Sequence, residues 1–282
     1  MFQNRSQKPL SRRKNLFINM EQDKDTQQRI EVTFLGTGTS TGVPVVACDC
    51  EVCTSEDPRD KRLRTSAMVK YNGKTFIIDC GPDFRIQMLD NKVEDIDAIL
   101  FTHSHRDHIA GLDDVRGFNY ILNKRIAMYG QQNVLDFITT SFPYIFTNKR
   151  YFGTPQVDLI PLDGDPVTIE NSVIIPVRVH HHKDIIFGYR FGNFTYITDA
   201  SHIDEEEFKK IEGSEVLVIN ALRNSSHISH FSLQQAIEVV SRIKPRDAYF
   251  VHMSHFIGKH ADVEAKLPDG MHMAYDGLKI IV

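Results

Sequence analysis

The stretch 101-FTHSHRDH-108 places three histidines and an aspartate within six residues, directly after an apolar run. Asp97 to Phe101 reads as a buried strand centred on Ile99 and Leu100, with Thr102 opening the loop at its carboxyl end. In an extended loop, alternation puts His103 and His105 on one side, and a following turn sends Asp107 and His108 to another. Three imidazoles so close together repel one another once charged, so chance is a poor explanation of their crowding. Imidazoles and a carboxylate in that pattern offer ligands to two neighbouring cations.

A pair of cations needs more donors than 103–108 supplies, and further candidates lie at strand ends later in the chain. The run His180-His181-His182 closes a strand, so 180 and 182 share a face opposite 181, and one of the three is expected to be a ligand. Asp199 ends the strand that contains FTYIT, where a carboxylate can bridge two cations or cap the helix expected near Asp204. His252 follows the strand AYFV. Alone it would be a structural histidine; with the rest of the set it reads as a ligand.

A softer cluster, Cys48-x-Cys50-x2-Cys53, suits Zn²⁺, and a closed structural site wants a fourth ligand. His255 lies three residues after His252, and an odd step in an extended chain reverses the side-chain direction. One strand end can therefore serve both sites, joining an N-terminal loop to a C-terminal strand and coupling zinc binding to folding. Cys80 reads as a small buried residue.

Working outward, the chain has 282 residues, 41% of them hydrophobic and 25% charged, an ordinary globular composition. The formal net charge of −4 is unevenly spread. Residues 1–29 hold seven Lys/Arg and three Asp/Glu, which leaves 26 basic and 34 acidic residues in 30–282. That acidic body argues against wrapping an extended nucleic acid, which takes many phosphate contacts. Residues 1–29 read as a disordered basic leader, or as an overlong start with Met20 the true initiator. Leu16 to Ile18 is too short for a signal-peptide core, and no stretch approaches the ~20 apolar residues of a membrane span. A cytoplasmic location is expected, where clustered cysteines bind metal rather than form disulfides.

Strands are expected at Ile30–Leu35, Ser66–Tyr71, Lys74–Asp79, Val157–Pro161, Val167–Ile169, Val173–His180, Ile185–Phe191, Asn193–Thr198, Asp247–His252 and Leu278–Val282. Asn72-Gly73 marks a hairpin. Helices are expected from Asp83 to Leu89, from Asp107 past Leu112, at Gln131–Ser141, and at Ser232–Arg242 with Ser232 as N-cap. Strands in each half with helices outside suggest an α/β chain with two facing sheets, an αββα sandwich in one domain over 30–282. The aromatic segment 142–156 either packs on the core, the favoured outcome, or forms a lid.

These residues in this order resemble the metallo-β-lactamase superfamily, whose motif is His-x-His-x-Asp-His. FLGTGTSTGVP, the cysteine loop, IDCGPD, FGYRFGNFTYITDA, HFSLQQA and VHMSH are most similar to its PhnP-type phosphoribosyl cyclic phosphodiesterases, relatives of tRNase Z. The resemblance covers nearly all of 30–282 and implies the αββα fold. It implies that His103, His105 and His182 hold one catalytic metal. Asp107, His108 and His252 would hold a second, with Asp199 bridging. His182 is taken because it stands five residues before Phe187 of FGY. It further implies His255 as fourth ligand of a structural Zn, His230 as a catalytic histidine beside the catalytic role of Asp107, Asp79 as an orienting partner, and a homodimer.

The function expected is metal-dependent hydrolysis of a small or cyclic phosphodiester. A solvent molecule ionised between two divalent ions (Mn or Zn) attacks phosphorus, and His230, as imidazolium, assists the leaving group. Alternatives are tRNA 3′ processing, for which no Gly-rich basic arm is apparent, hydrolysis of a carboxylic ester, thioester or lactam, and a non-catalytic metal-dependent sensor. Ala221–Ile228 and 142–156 depart from the family pattern, and substrate contacts are expected there.

Overall fold

A computed structural model describes residues 29–147 and 153–282. The expected leader lies outside the described residues, apart from its last position, as do Tyr151 and Phe152 of the aromatic segment. Two seven-stranded sheets face each other, in the orders β14-β1-β2-β3-β4-β5-β6 and β13-β12-β11-β10-β9-β8-β7. The first is built from β1 (Glu31–Gly36), β2 (Ser66–Tyr71), β3 (Lys74–Ile78), β4 (Ala98–Leu100), β5 (Ile126–Gly130), β6 (Val157–Pro161) and β14 (Lys279–Ile281). The second is built from β7 (Val167–Ile169), β8 (Ser172–His181), β9 (Asp184–Phe191), β10 (Phe194–Tyr196), β11 (Val216–Asn220), β12 (Asp247–Val251) and β13 (Met271–Met273).

Each sheet begins with antiparallel hairpins and ends in parallel strands. Parallel strands carry both faces buried, so they read as apolar runs without alternation. That is why β11, VLVIN and wholly buried, is absent from the strands expected above. β5 was likewise not anticipated.

Between the sheets lies a core of Val32, Phe34, Phe76, Leu100, Phe187, Tyr189, Phe191, Tyr196 and Val218. Two outer layers complete the αββα sandwich. Helices α1 (Phe84–Asp90), α2 (Arg106–Ile109), α3 (Arg116–Leu122), α4 (Gln132–Ser141) and α5 (Pro143–Phe146) follow strands of the first sheet, while α6 (Glu205–Ile211), α7 (Leu233–Ile243) and α8 (His260–Glu264) follow strands of the second. The α7 N-terminus closes with a capping box in which the Ser232 hydroxyl accepts from the Gln235 N–H and the Gln235 side chain accepts from the Ser232 N–H. In the aromatic segment Phe142 and Ile145 join the core beneath the first sheet, and the exposed Tyr144 donates to Asp113 Oδ1 at 2.6 Å.

The helix expected from Asp107 past Leu112 is broken. A single α-turn, α2, precedes a 3₁₀ turn at Leu112–Val115. Between them Gly111 donates its N–H to the Cys80 carbonyl at 2.8 Å. A β-carbon at Gly111 would stand 2.1 Å from the Gly81 oxygen, and one at Gly81 would stand 1.9 Å from the Asp107 oxygen. The glycine of IDCGPD therefore lets the loop after β3 lie against the histidine loop.

Candidate metal centre and active site

Strand ends build the site. The chain turns sharply after β3, β10 and β12, where Asp79, Asp199 and His252 adopt φ of 62°, 60° and 57°. A non-glycine residue in this left-handed region costs on the order of 1–3 kcal/mol and persists only where its surroundings hold it. Each of these three is held. Asp79 accepts from the Thr102 N–H and Thr102 hydroxyl, both at 2.8 Å, and from His108 Nδ1 at 2.6 Å. Asp199 accepts from the Thr198 hydroxyl at 2.6 Å, and the next residue, Ala200, is clamped by both ends of the Asn220 carboxamide. His252 Nε2 lies 3.1 Å from the Thr39 hydroxyl, on the GTGTS loop after β1.

Two groups of ligand atoms meet at this rim, each with all its atoms within 4.8 Å of one another, His103, His105 and His181, and Asp107, His108, Asp199 and His252, and a third, His181, Asp199 and His230, overlaps both. His103 Nε2 is 3.0 Å from His105 Nδ1. His108 Nε2 is 3.2 Å from Asp107 Oδ2 and 3.5 Å from Asp199 Oδ2, while His252 Nδ1 is 2.9 Å from Asp199 Oδ1. Asp199 also stands 3.7 Å from His103 Nε2, which places its carboxylate between the two groups.

His182 does not belong to this assembly. It occupies the exposed turn between β8 and β9 with φ of 57°, its N–H donating to the Ser201 hydroxyl. His181 is the histidine that points inward, because β8 runs one residue beyond the expected end. Alternation then carries the side of Val177 and Val179 on to residue 181. His181 Nδ1 donates to the Asp199 and Ser229 carbonyls at 2.7 and 2.9 Å, leaving Nε2 for a ligand bond. His180 turns outward to Asp204, at 2.8 Å.

The electrostatics of the cluster are those of a cation site. Burial drives His103 well below the ordinary histidine range, and the positive charge shared with His108 adds to the effect. For Asp199 burial acts upward, but His252 and His108 hold the carboxyl well below its usual range. Burial acts downward on His108, yet Asp199, Asp107 and Asp79 together lift it well above the ordinary value. His108 Nε2, His252 Nδ1 and His230 Nδ1 are buried with no hydrogen-bond partner among the described residues. Converging imidazole nitrogens and carboxylates are what divalent ions would satisfy in place of protons. The donors are nitrogen and oxygen only, which suits Zn²⁺ or Mn²⁺.

His230 stands at the mouth. Its ring centroid is 4.8 Å from those of both His181 and His252, and its Nδ1 is 3.9 Å from Asp199 Oδ2. Burial, reinforced by His252, His181 and His227, pushes it down to about 3 despite the Asp199 charge. The ring is therefore a neutral imidazole, not the imidazolium expected from sequence.

At the second cluster His255 Nδ1 lies 3.3, 3.3 and 3.4 Å from the sulfurs of Cys48, Cys50 and Cys53. Tetrahedral zinc, with bonds of ~2.3 Å to sulfur and ~2.0 Å to nitrogen, separates such atoms by roughly 3.5 Å. The set fits zinc. The Cys53 backbone N–H pulls the Cys50 thiol down to about 6, whereas burial pushes Cys53 up to about 11; a shared dication would make both thiolates. Cys80 is fully buried away from this group.

Thr39, Thr102 and Asn220 were not singled out from sequence. Their signal is weak: a hydroxyl or amide beside a strand end has many structural uses.

Paired sheets whose ends gather these ligands define the metallo-β-lactamase fold with a candidate metal centre at its rim. A family model described as a beta-lactamase superfamily domain matches residues 74–253, and the chain belongs to that superfamily. An octanoyltransferase of Porphyromonas gingivalis is 40% identical over 252 residues, which is 88% of this chain and 51% of that protein. A ribonuclease Z of Saccharolobus islandicus is 25% identical over 205 residues, 71% of this chain and 60% of that one. The chain thus spans about half to three-fifths of the length of these curated relatives. The crystal structure of a diphosphatase of the PhnP family superposes with a TM-score of 0.85 at 39% identity, covering 90% of this chain and 98% of the other. No helix among the described residues is long and apolar enough to cross a membrane.

Proposed function

We propose that the chain hydrolyses the phosphorus–oxygen bond of a small phosphodiester, cyclic phosphoribosyl esters included, with two divalent ions at the histidine–aspartate cluster and one structural zinc at the cysteines. One observation carries it: the carboxylate of Asp199 stands between two ligand groups, with the neutral ring of His230 directly beside it. Divalent ions bound there would supply Lewis acidity and ionise water near neutral pH.

The protein's own groups do the rest. His103, His105 and His181 would hold one ion and Asp107, His108 and His252 the other, with Asp199 between them. Asp107, ionised through its contact with His108 despite burial, keeps negative charge at the point where a proton must leave. His230 enters as a neutral N–H donor, aimed where charge collects on the departing oxygen, a role commonly worth ~10²–10³ in rate. The full-length likeness to a PhnP-family diphosphatase supports a phosphoryl substrate, and a diphosphate linkage presents the same bond to the same site.

A carbonyl ester or thioester is the second reading, favoured by the octanoyltransferase, of which this chain matches only about half. A homodimer and the absence of any extended nucleic-acid substrate complete the proposal. Purified protein should carry three metal ions per chain by elemental analysis and cleave bis(p-nitrophenyl) phosphate and a ribose cyclic phosphate. Preference for p-nitrophenyl octanoate, or for precursor tRNA, would replace the phosphodiester reading. Exchange of His230 for Ala should lower turnover at least ~100-fold with metal content unchanged.

A further inference from the structure

The loop Arg223–His230 overlaps Ala221–Ile228, a stretch whose sequence departs from the family pattern, and it is pinned at both legs. Leu222 donates to the Phe231 carbonyl at 3.0 Å, Phe231 to Ala200 at 2.7 Å, and Ser254 to the Leu222 carbonyl at 2.9 Å. Asn224 ties the tip to the Ile257 carbonyl at 3.0 Å, and the Ser229 carbonyl accepts from the ligand His181. The Arg223 guanidinium folds back on the Ser225 and Ser226 carbonyls, so its charge stays with the loop.

His227 projects from this frame. Its ring centroid lies 5.2 Å from that of His230, one imidazole farther from the metal ligands. Its Nδ1 accepts from the Ser229 N–H at 3.3 Å and lies 3.2 Å from the Ser229 hydroxyl. With that lone pair engaged, the proton of the neutral ring sits on Nε2, which has no partner among the described residues. Burial and the nearby Arg223 charge push the ring below the ordinary histidine value, which keeps it neutral.

Resting on the phosphoester reading, we infer that His227 is a specificity-determining residue, whose Nε2–H binds a phosphoryl oxygen of the substrate beside His230. The loop presets the donor, and Arg223 adds positive potential for an anion.

Two substitutions separate this role from that of a loop staple. His227→Asn can keep the acceptor at the Nδ1 position but lacks the outer donor; His227→Gln can restore a donor near the Nε2 position. On bis(p-nitrophenyl) phosphate, kcat/KM should fall about 10–100-fold in His227→Ala and His227→Asn, the scale of one hydrogen bond to a charged group. His227→Gln should stay within about threefold of the parent, with melting temperature and metal content unchanged in all three. Inorganic phosphate, titrated calorimetrically into the metal-loaded protein, should bind more weakly to His227→Ala by a similar factor. Rescue by Asn rather than Gln, or phosphate affinity unchanged in His227→Ala, overturns the inference while leaving the phosphodiester reading intact. A parent protein that binds phosphate through His227 yet cleaves no phosphodiester overturns the function instead.

Discussion

Replacing Asp79 with Asn removes one negative charge and turns one acceptor into a donor, at a fully buried carboxylate that accepts three hydrogen bonds. The main-chain N–H of Thr102 needs the oxygen on its side, so the amide nitrogen falls on the side of His108. There it meets the Nδ1–H, donor against donor, where a 2.6 Å charge-assisted bond stood. Losing such a bond costs about 1.5–3 kcal/mol of stability. His108 can escape by shifting its proton to Nε2, but Nε2 is the atom that faces Asp107 and Asp199. Ligand basicity and tautomer are then both wrong, which lowers metal affinity about 10–100-fold. At 1.4 kcal/mol per decade this is about 1.4–2.8 kcal/mol of binding, similar to the bond lost. Chelator competition with Zn²⁺ measures the affinity, and ¹⁵N chemical shifts of the His108 ring report its tautomer. Thr102→Val, which deletes only the hydroxyl partner, should weaken metal binding less. Asp79→Asn protein with affinity within twofold of the parent and an unshifted ring would refute the orienting role.

Four other outcomes are expected. Thr39→Val removes the hydroxyl 3.1 Å from His252 Nε2 and should cost about tenfold in affinity for one catalytic metal, while Thr39→Ser keeps it. Cys50→Ser should release one zinc per chain and lower the melting temperature by about 5–10 °C, at ~2–4 °C per kcal/mol, with the catalytic pair retained. The pH dependence of stability should carry the signature of Asp276. It is buried beside Arg62, accepts from Leu63 N–H at 2.6 Å and the Thr37 hydroxyl at 2.7 Å, and is raised by burial to about 6 from an ordinary 3.8. Between about pH 4 and 6 the folded state keeps a proton that the unfolded chain has released, so this group's contribution to stability falls as pH rises through that window. At 1.36 kcal/mol per unit, the unfolding energy of the parent should fall relative to that of Asp276→Asn by about 2–3 kcal/mol from pH 4 to 7; a constant difference in urea titrations would contradict the shift. Removal of all metal with chelator should destabilise the parent more than the Cys50→Ser protein, by differential scanning calorimetry, because only the parent has the zinc to lose.

Much of the site could be read from local sequence, because its ligands are chemically unlike their surroundings. Four donors in 103–108 announce themselves, as do three cysteines in six residues. Asp199 and His252 were recognisable as polar residues surfacing from apolar strands. The choice among His180, His181 and His182 went wrong because the family spacing was followed over the strand's own alternation. Val177 and Val179 mark the buried side, and the same alternation reaches 181. β11 was missed since a strand buried on both faces has no period to detect.

By itself the sequence determined the chemistry of the chain: hard nitrogen and oxygen donors for one cluster, thiolates for the other, and alternating strands enough for two sheets. Only the folded chain decided which nitrogen of each ring faces inward and which residues hold it there. Thr39, Asp79, Thr102 and Asn220 act through hydrogen bonds to groups as many as 213 residues away, and the neutrality of His230 comes from its burial among other imidazoles. Such facts depend on distances between chain-remote atoms, which side-chain identity and spacing do not encode.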